Sequence, residues 1–203
     1  MAFSIIQTIG GGDCFYAAVA IAETNEALPP KGQKPKAAAL RNDVHNVLMD
    51  DPQTVIEILH TQQKYAPLLG FYFDEIEQFV KDPQQNRHAY DEFVRFINPK
   101  THENVGTIAE HFRWTPVYDD KGQEKGKTQK SEIEQLQGYA AYQAVPGAYA
   151  GRVEAAAVAH FYSKRLVIWI YETRQGQNQA NTRILRCYQK FDPKTSSLKG
   201  TLH

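Results

Sequence analysis

The sequence predicts a mixed α+β fold, with helices along most of the chain and strands near its end. Cys14 to Glu23 is apolar nearly throughout, which is typical of a helix that is buried on all sides. From Ala37 to Met49 the apolar residues recur at helical spacing, with polar residues on the other face. Leu166 to Tyr171 is a continuous, β-branched run typical of a strand buried on both faces, and Arg183 to Gln189 alternates, so both are predicted strands.

The segments around these elements complete the predicted order. Ile5 to Ile9 is predicted to be a short strand, and Gly151 to Phe161 an alanine-rich helix. Asn25 to Lys36 contains three prolines and a glycine and is predicted to be a loop. Asp119 to Thr128 has almost no apolar residue, which predicts an exposed loop or a disordered tip.

Composition indicates one ordinary globular domain, residues 1–203. Hydrophobic residues make up 42% of the 203. The 23 basic residues equal the 23 acidic ones, so the protein has no net charge that would attract nucleic acid or an anionic membrane. The only two cysteines, Cys14 and Cys187, do not make a disulfide framework. The chain shows no secretion signal and no apolar run long enough for a membrane span. We therefore expect a cytoplasmic protein, a monomer, with no nucleic-acid partner.

Cys14 is the candidate nucleophile. A thiol in the first turn of a helix lies against unpaired backbone N–H groups and the positive end of the helix dipole, which both favour the thiolate. The backbone N–H groups of Gly11, Gly12 and Asp13, together with that of Cys14, are the candidate oxyanion hole for acyl transfer. From this local pattern alone, a small buried structural cysteine is an equally good interpretation.

Four segments carry a family resemblance. They are Gly12-Asp13-Cys14-Phe15-Tyr16-Ala17-Ala18, Ala38-Ala39-Leu40-Arg41-Asn42-Asp43-Val44, Gly151-Arg152-Val153-Glu154-Ala155-Ala156-Ala157-Val158-Ala159-His160-Phe161-Tyr162 and Leu166-Val167-Ile168. In this order they resemble the nucleophile motif, the Leu-Arg helix, the Gly-x-x-Glu helix and the following strand of the ovarian tumour (OTU) family of deubiquitinating cysteine proteases. The resemblance covers roughly residues 1–50 and 148–203. It implies a papain-like core, a small central sheet between helices, and thiol-dependent cleavage of isopeptide bonds at the C-terminal glycine of ubiquitin or polyubiquitin, without a cofactor.

The resemblance also implies a general base. OTU enzymes take this histidine from a strand near the end of the domain, and His203 is the only histidine that far along the chain. The family usually places an Asp or Asn that orients this histidine two positions later, but the sequence ends at His203. Three explanations stay open: the orienting residue of the catalytic triad is missing from this sequence, it comes from upstream, or His203 is not the base. Gly11 stands where the family usually has an aspartate. The other histidines lack the spacing of metal ligands, so we expect no metal site.

Residues 52–147 have no counterpart in the matched segments, and their apolar spacing predicts a mostly helical inserted lobe. Bacterial effector members of the family, including Legionella-type ones, have an enlarged helical lobe that binds ubiquitin. If the protein resembles these secreted effectors, it acts in the host cytosol. The aromatic residues of this range would serve such a contact, although the lobe's own core is the stronger interpretation. Two other functions stay open: a catalytically impaired ubiquitin-binding module, and another papain-like Cys-His hydrolase or acyltransferase.

Overall fold

A computed structural model of the chain confirms the mixed α+β class. It describes residues 8–9, 11–25, 28–61, 112–144, 148, 150–175, 181–195 and 197–203, with the backbone alone for 170–175 and 181–188. Within these residues there are five α-helices and two small sheets. The helices are α1 (Cys14–Thr24), α2 (Pro30–Asp50), α3 (Pro52–Thr61), α4 (Glu132–Gln143) and α5 (Arg152–Tyr162). The strands are β1 (Trp114–Tyr118), β2 (Glu124–Gln129), β3 (Arg165–Gln175), β4 (Asn181–Phe191) and β5 (Thr201–Leu202).

Helix α2 begins at Pro30, so the prediction of a loop over Asn25 to Lys36 is wrong from that residue onward. Pro30 is the first helical residue, where a missing N–H and a fixed φ suit the helix. The side chain of Gln33 is buried and ties this first turn to its surroundings: its Nε2 donates to the Leu28 carbonyl, and its Oε1 accepts from the Ile9 N–H. Prolines that mark loops elsewhere therefore begin a helix here.

The segment Asp119 to Thr128 forms a turn and a strand. Strand β2 pairs antiparallel with β1, and the Asp119 carboxylate accepts from the N–H groups of Lys121 and Gln123 to close the turn. Gly122 adopts a φ of 76°, which glycine reaches without strain. The prediction of exposure is confirmed, but the prediction of an irregular segment is wrong. The strand could not be predicted because every residue of β2 is exposed, so its sequence does not alternate between apolar and polar residues.

Helix α5 lies at the centre of the core. Its residues from Val153 to Ala159 are all fully buried, and the helix packs against α2, α3 and β3. Helix α4 in turn packs against α2 and α3. Thus α3 and α4, the two ends of the range predicted as an inserted lobe, contribute side chains to the same core as α5. Residues 62–111 of that range lie outside the described residues.

The second sheet has the strand order β4, β3, β5. Strands β3 and β4 are antiparallel, with Leu166 opposite Phe191, and β5 is parallel to β3, with Leu166 beside Leu202. Both predicted late strands are present and longer than predicted. Among the β3 residues whose side chains the structure describes, Leu166 and Val167 are buried, whereas Trp169 is 40% exposed after a register shift. Thr8 and Ile9 are not in a strand, and residues 5–7 of the strand predicted at Ile5 to Ile9 lie outside the described residues.

Helix α4 begins with a capping box at Ser131. The Ser131 hydroxyl accepts from the Glu134 N–H, and the Glu134 carboxylate accepts from the Ser131 N–H. We expect Ser131→Ala to lower the free energy of unfolding by about 1 kcal/mol, because one N-terminal N–H loses its acceptor. Ser131→Asp, which keeps an acceptor, is the control and should stay close to the wild type in urea unfolding. Equal losses in both variants would contradict a capping role.

Candidate active site

Cys14 lies at the first residue of α1, directly after a 3-10 turn formed by Gly11–Asp13. Its side chain is half-buried and its thiol is free. The predicted helix from Cys14 to Glu23 is confirmed to within one residue. The candidate nucleophile is therefore at a helix N-terminus and within reach of solvent.

The 3-10 turn bears on the predicted oxyanion hole. A helix leaves its first N–H groups without an intrahelical acceptor, and in a 3-10 turn that runs into α1 these belong to the first residues of the turn. Gly11 and Gly12 hold that position, whereas the N–H groups of Asp13 and Cys14 come later, where the helical pattern supplies acceptors. Of the four predicted donors, Gly11 and Gly12 are thus the two that the helical pattern leaves without an acceptor.

Arg41 of α2 holds this turn from the inside of the protein. Its Nη2 donates to the Gly12 carbonyl (3.1 Å) and to Asp13 Oδ1 (2.7 Å), and its Nε donates to the same carboxylate oxygen (3.2 Å). Nη1 donates to the Gln143 carbonyl (2.8 Å), and Nη2 also donates to the Ala148 carbonyl (2.9 Å). One guanidinium therefore joins the nucleophile turn to the end of α4 and to the approach to α5.

Further buried polar groups continue from Arg41 toward α5. The guanidinium lies 4.4 Å from the centre of the Tyr16 ring, and the Tyr16 hydroxyl donates to Gln143 Oε1 (3.2 Å). Gln143 Nε2 is 2.8 Å from the Tyr139 hydroxyl. Burial raises the pKa of both tyrosines well above 10, and the nearby charge of Glu154 adds to the effect. These hydroxyls keep their protons and serve the core as neutral hydrogen-bonding groups.

Glu154 ends this buried network. It is fully buried in α5, and its carboxylate accepts from the Gly151 N–H at the start of that helix. Burial raises the pKa of Glu154, while the bond from Gly151, the Tyr139 hydroxyl and the Arg41 charge act in the opposite direction. Glu154 therefore belongs to the buried network that Arg41 joins to the turn.

His203 follows β5, and its ring is exposed. Trp169 of β3 stacks on it, with ring centres 6.2 Å apart, and donates its indole N–H to His203 Nδ1 (3.3 Å). Because an indole N–H can only donate, Nδ1 acts as the acceptor, and the neutral ring carries its hydrogen on Nε2. Trp169 thus occupies the one unprotonated nitrogen of the candidate base.

The structure brings the elements that carry Cys14 and His203 into contact, since α1 packs against β5. An ion pair between Glu23 and Lys164 (2.6 Å) ties the far end of α1 to the start of the same sheet. Among the described residues, however, no hydrogen bond joins the Cys14 thiol to the His203 ring, and no carboxylate or amide orients that ring. Oδ1 of Asp13 pairs with Arg41, and no hydrogen bond joins Asp13 to the His203 ring among the described residues.

The remaining histidines that the structure describes have local partners. His160 pairs with Asp51 (3.0 Å), His60 with Glu132 (3.3 Å), and His45 Nδ1 lies 2.9 Å from the Ala140 carbonyl. Within the described part of the chain, no three His, Cys, Asp or Glu side chains are grouped to hold a metal ion, and no helix is long and apolar enough to cross a membrane. His88, His102 and His111 lie outside the described residues, as do the aromatic residues of 62–111.

No family model, curated protein or solved structure matches this chain. The site is therefore defined by its own residues. Arg41 and Glu154 were part of the quoted motifs, yet the sequence did not assign them a role, and Trp169 was seen only as one residue of an apolar run. The available signal for Arg41 was a charged residue directly after the buried Leu40 of α2 and three positions before the buried Val44.

Proposed function

We propose that the protein is a cysteine-type deubiquitinase of the OTU kind. The observation that carries the proposal is the meeting of the motif segments at one place: Arg41 bonds the turn before Cys14, and the network behind Arg41 reaches Glu154. Segments that are 28 and more than 100 residues apart along the chain converge beneath the candidate nucleophile. Such a construction supports a turn that is held for chemistry rather than a cysteine that merely fills space.

The proposed reaction is acyl transfer through a thioester. The Cys14 thiolate attacks the carbonyl carbon of the ubiquitin C-terminal glycine, and the proton of the thiol passes to His203. The N–H groups of Gly11 and Gly12 hold the oxyanion until the carbon–nitrogen bond breaks and the lysine amine leaves with that proton. Water, deprotonated by His203, then hydrolyses the thioester and releases the ubiquitin carboxylate and the free thiol.

A ubiquitin probe with a C-terminal propargylamide tests this proposal, because only a reactive thiol beside a bound ubiquitin tail forms a vinyl thioether with it. We expect the wild-type protein to gain the mass of one ubiquitin, and Cys14→Ala to gain none. Cys187→Ala is the matched control and should react like the wild type. A wild type that forms no adduct, or an adduct that persists in Cys14→Ala, would sink the enzyme proposal.

One observation favours the second candidate, a ubiquitin-binding module without activity. Trp169 occupies Nδ1 of His203, and no bond links that ring to the thiol. If the protein is such a module, calorimetry should show saturable binding of ubiquitin, and the propargylamide probe should leave Cys14 unmodified. The two measurements together separate an enzyme from a binding module.

A further inference from the structure

The Arg41 side chain donates hydrogen bonds to groups from three parts of the chain. It is 4% exposed, and its Nε, Nη1 and Nη2 atoms all donate, to the Gly12 carbonyl, the Asp13 carboxylate, the Gln143 carbonyl and the Ala148 carbonyl. A buried ion pair is weak evidence of stabilisation, because desolvation of the two charges offsets most of their attraction. What a planar guanidinium fixes well is the relative position of the groups that it binds.

Two of those groups belong to the nucleophile turn. Bonding the Gly12 carbonyl fixes the peptide plane between Gly12 and Asp13, and bonding the Asp13 carboxylate fixes Asp13 itself, so Arg41 anchors the turn directly after the N–H groups of Gly11 and Gly12. Glycine has the widest choice of backbone conformations, so a turn built from Gly11 and Gly12 has no preferred geometry of its own. The positions of its N–H groups then depend on what holds the turn from behind.

We propose that Arg41 is a positioning residue for the oxyanion hole: it holds Gly12 and Asp13 so that the N–H groups at the start of the turn meet at one point. This rests on the proposed function, because an oxyanion hole serves a carbonyl substrate. Arg41 is 4% exposed, and none of its hydrogen bonds goes to the Cys14 thiol. It acts through the backbone of the turn.

The proposal separates two reactions of the same thiol. Attack on a carbonyl builds negative charge on oxygen and needs the hole, whereas alkylation by iodoacetamide displaces iodide at a saturated carbon and forms no oxyanion. Arg41→Lys keeps the positive charge, but a single ammonium cannot bond the same set of groups at once. We therefore expect kcat for a fluorogenic ubiquitin C-terminal amide to fall about 10²-fold, the loss typical of one oxyanion donor, with KM little changed.

The same variant should alkylate with iodoacetamide at a rate within about twofold of the wild type, because a displacement reaction does not use the stabilisation that the hole supplies. Glu23→Gln is the matched control: it breaks an ion pair at the other end of α1 and should change neither rate. If alkylation and amide hydrolysis fall together in Arg41→Lys, the residue supports the fold in general and the proposal is overturned. Unchanged hydrolysis overturns it as well.

Two further measurements test the role of Arg41 even if Arg41→Lys does not fold or the wild type does not cleave ubiquitin. Should Arg41→Lys unfold, Asp13→Asn keeps an acceptor oxygen for Arg41 but loses the charge-assisted bond, and we expect a smaller loss of hydrolysis with alkylation unchanged. Should the wild type not cleave ubiquitin at all, the proposed function fails, and acetyl-glycyl-glycinal then tests Arg41. Its hemithioacetal with Cys14 needs the same hole, so Arg41→Lys should weaken protection from alkylation by this aldehyde. Equal protection in both proteins would refute the role of Arg41.

Discussion

Replacing His203, the proposed general base, by alanine is expected to lower kcat for the proposed hydrolysis of ubiquitin amides by about 10²- to 10⁴-fold, the range for loss of such a base. This corresponds to about 3–5 kcal/mol of barrier height. His203 is exposed, and the hydrogen bond and the ring contact of its side chain are both with Trp169, so the free energy of unfolding should hardly change. Steady-state kinetics with a fluorogenic ubiquitin amide measures the loss, and urea unfolding checks the fold.

His60→Ala is the matched control, because His60 is another partly exposed histidine with one side-chain partner, Glu132. It should keep the wild-type kcat. A loss of less than about threefold in His203→Ala, well below what a general base contributes, would remove His203 from the mechanism. The same would follow if His60→Ala lost as much activity as His203→Ala.

In the proposed mechanism, the contact with Trp169 constrains how His203 can take up a proton. While the indole N–H donates to Nδ1, that nitrogen cannot receive the proton of Cys14, and a protonated Nδ1 would face the indole as donor against donor. The ring must therefore leave Trp169 when it takes up the proton. One neutral hydrogen bond is worth about 0.5–1.5 kcal/mol, which ubiquitin binding can readily offset.

Much of the fold could be predicted from the sequence where local pattern and burial agree. Helix α1 was predicted to within one residue because it is apolar on nearly all sides, and β3 and β4 were found because their runs are β-branched or alternating. The start of α2 was missed because Pro30 is also a loop signal, and β2 was missed because it buries no side chain.

The candidate site was predictable only in part. Cys14 has a local signature, but the roles of Arg41 and Trp169 depend on partners far along the chain. Arg41 bonds residues 28, 102 and 107 positions away, and Trp169 bonds one 34 positions away. No periodicity or spacing within a single helix or strand indicates such contacts. Arg41 and Glu154 both belong to the motif segments, but the motifs do not predict that one hydrogen-bonded network joins the two residues.

The buried carboxyl group of Glu154 should make the stability of the protein depend on pH in a direction opposite to that of most carboxylates. Burial raises the pKa of Glu154 above its ordinary value of 4.5, so the folded protein holds this proton more tightly than the unfolded chain does. The resulting stabilisation is complete below about pH 4.5 and is lost as the pH rises through the raised pKa of the folded state. The slope for one proton is at most about 1.4 kcal/mol per pH unit.

Glu154→Gln should remove this slope, because the amide oxygen still accepts from the Gly151 N–H but the group no longer ionises. Urea unfolding of both proteins from pH 4 to pH 8 should give a difference in the free energy of unfolding that moves steadily in favour of the glutamine variant. Glu154→Leu should instead be less stable by about 1–3 kcal/mol, since the Gly151 N–H then loses its acceptor.

Glu134→Gln provides the control of opposite sign. The bonds from Ser131 lower the pKa of Glu134, so its contribution is present above the ordinary value of 4.5 and is lost only as the pH falls through the lowered pKa. The pH dependence of the free energy of unfolding of Glu134→Gln should therefore differ from that of the wild type only at acidic pH. Parallel curves for the wild type and Glu154→Gln above pH 4.5 would mean that the folded protein holds this proton no more tightly than the unfolded chain. The network from Arg41 would then stabilise the charged carboxylate fully, and Glu154 would act as a second anion for that guanidinium beside Asp13.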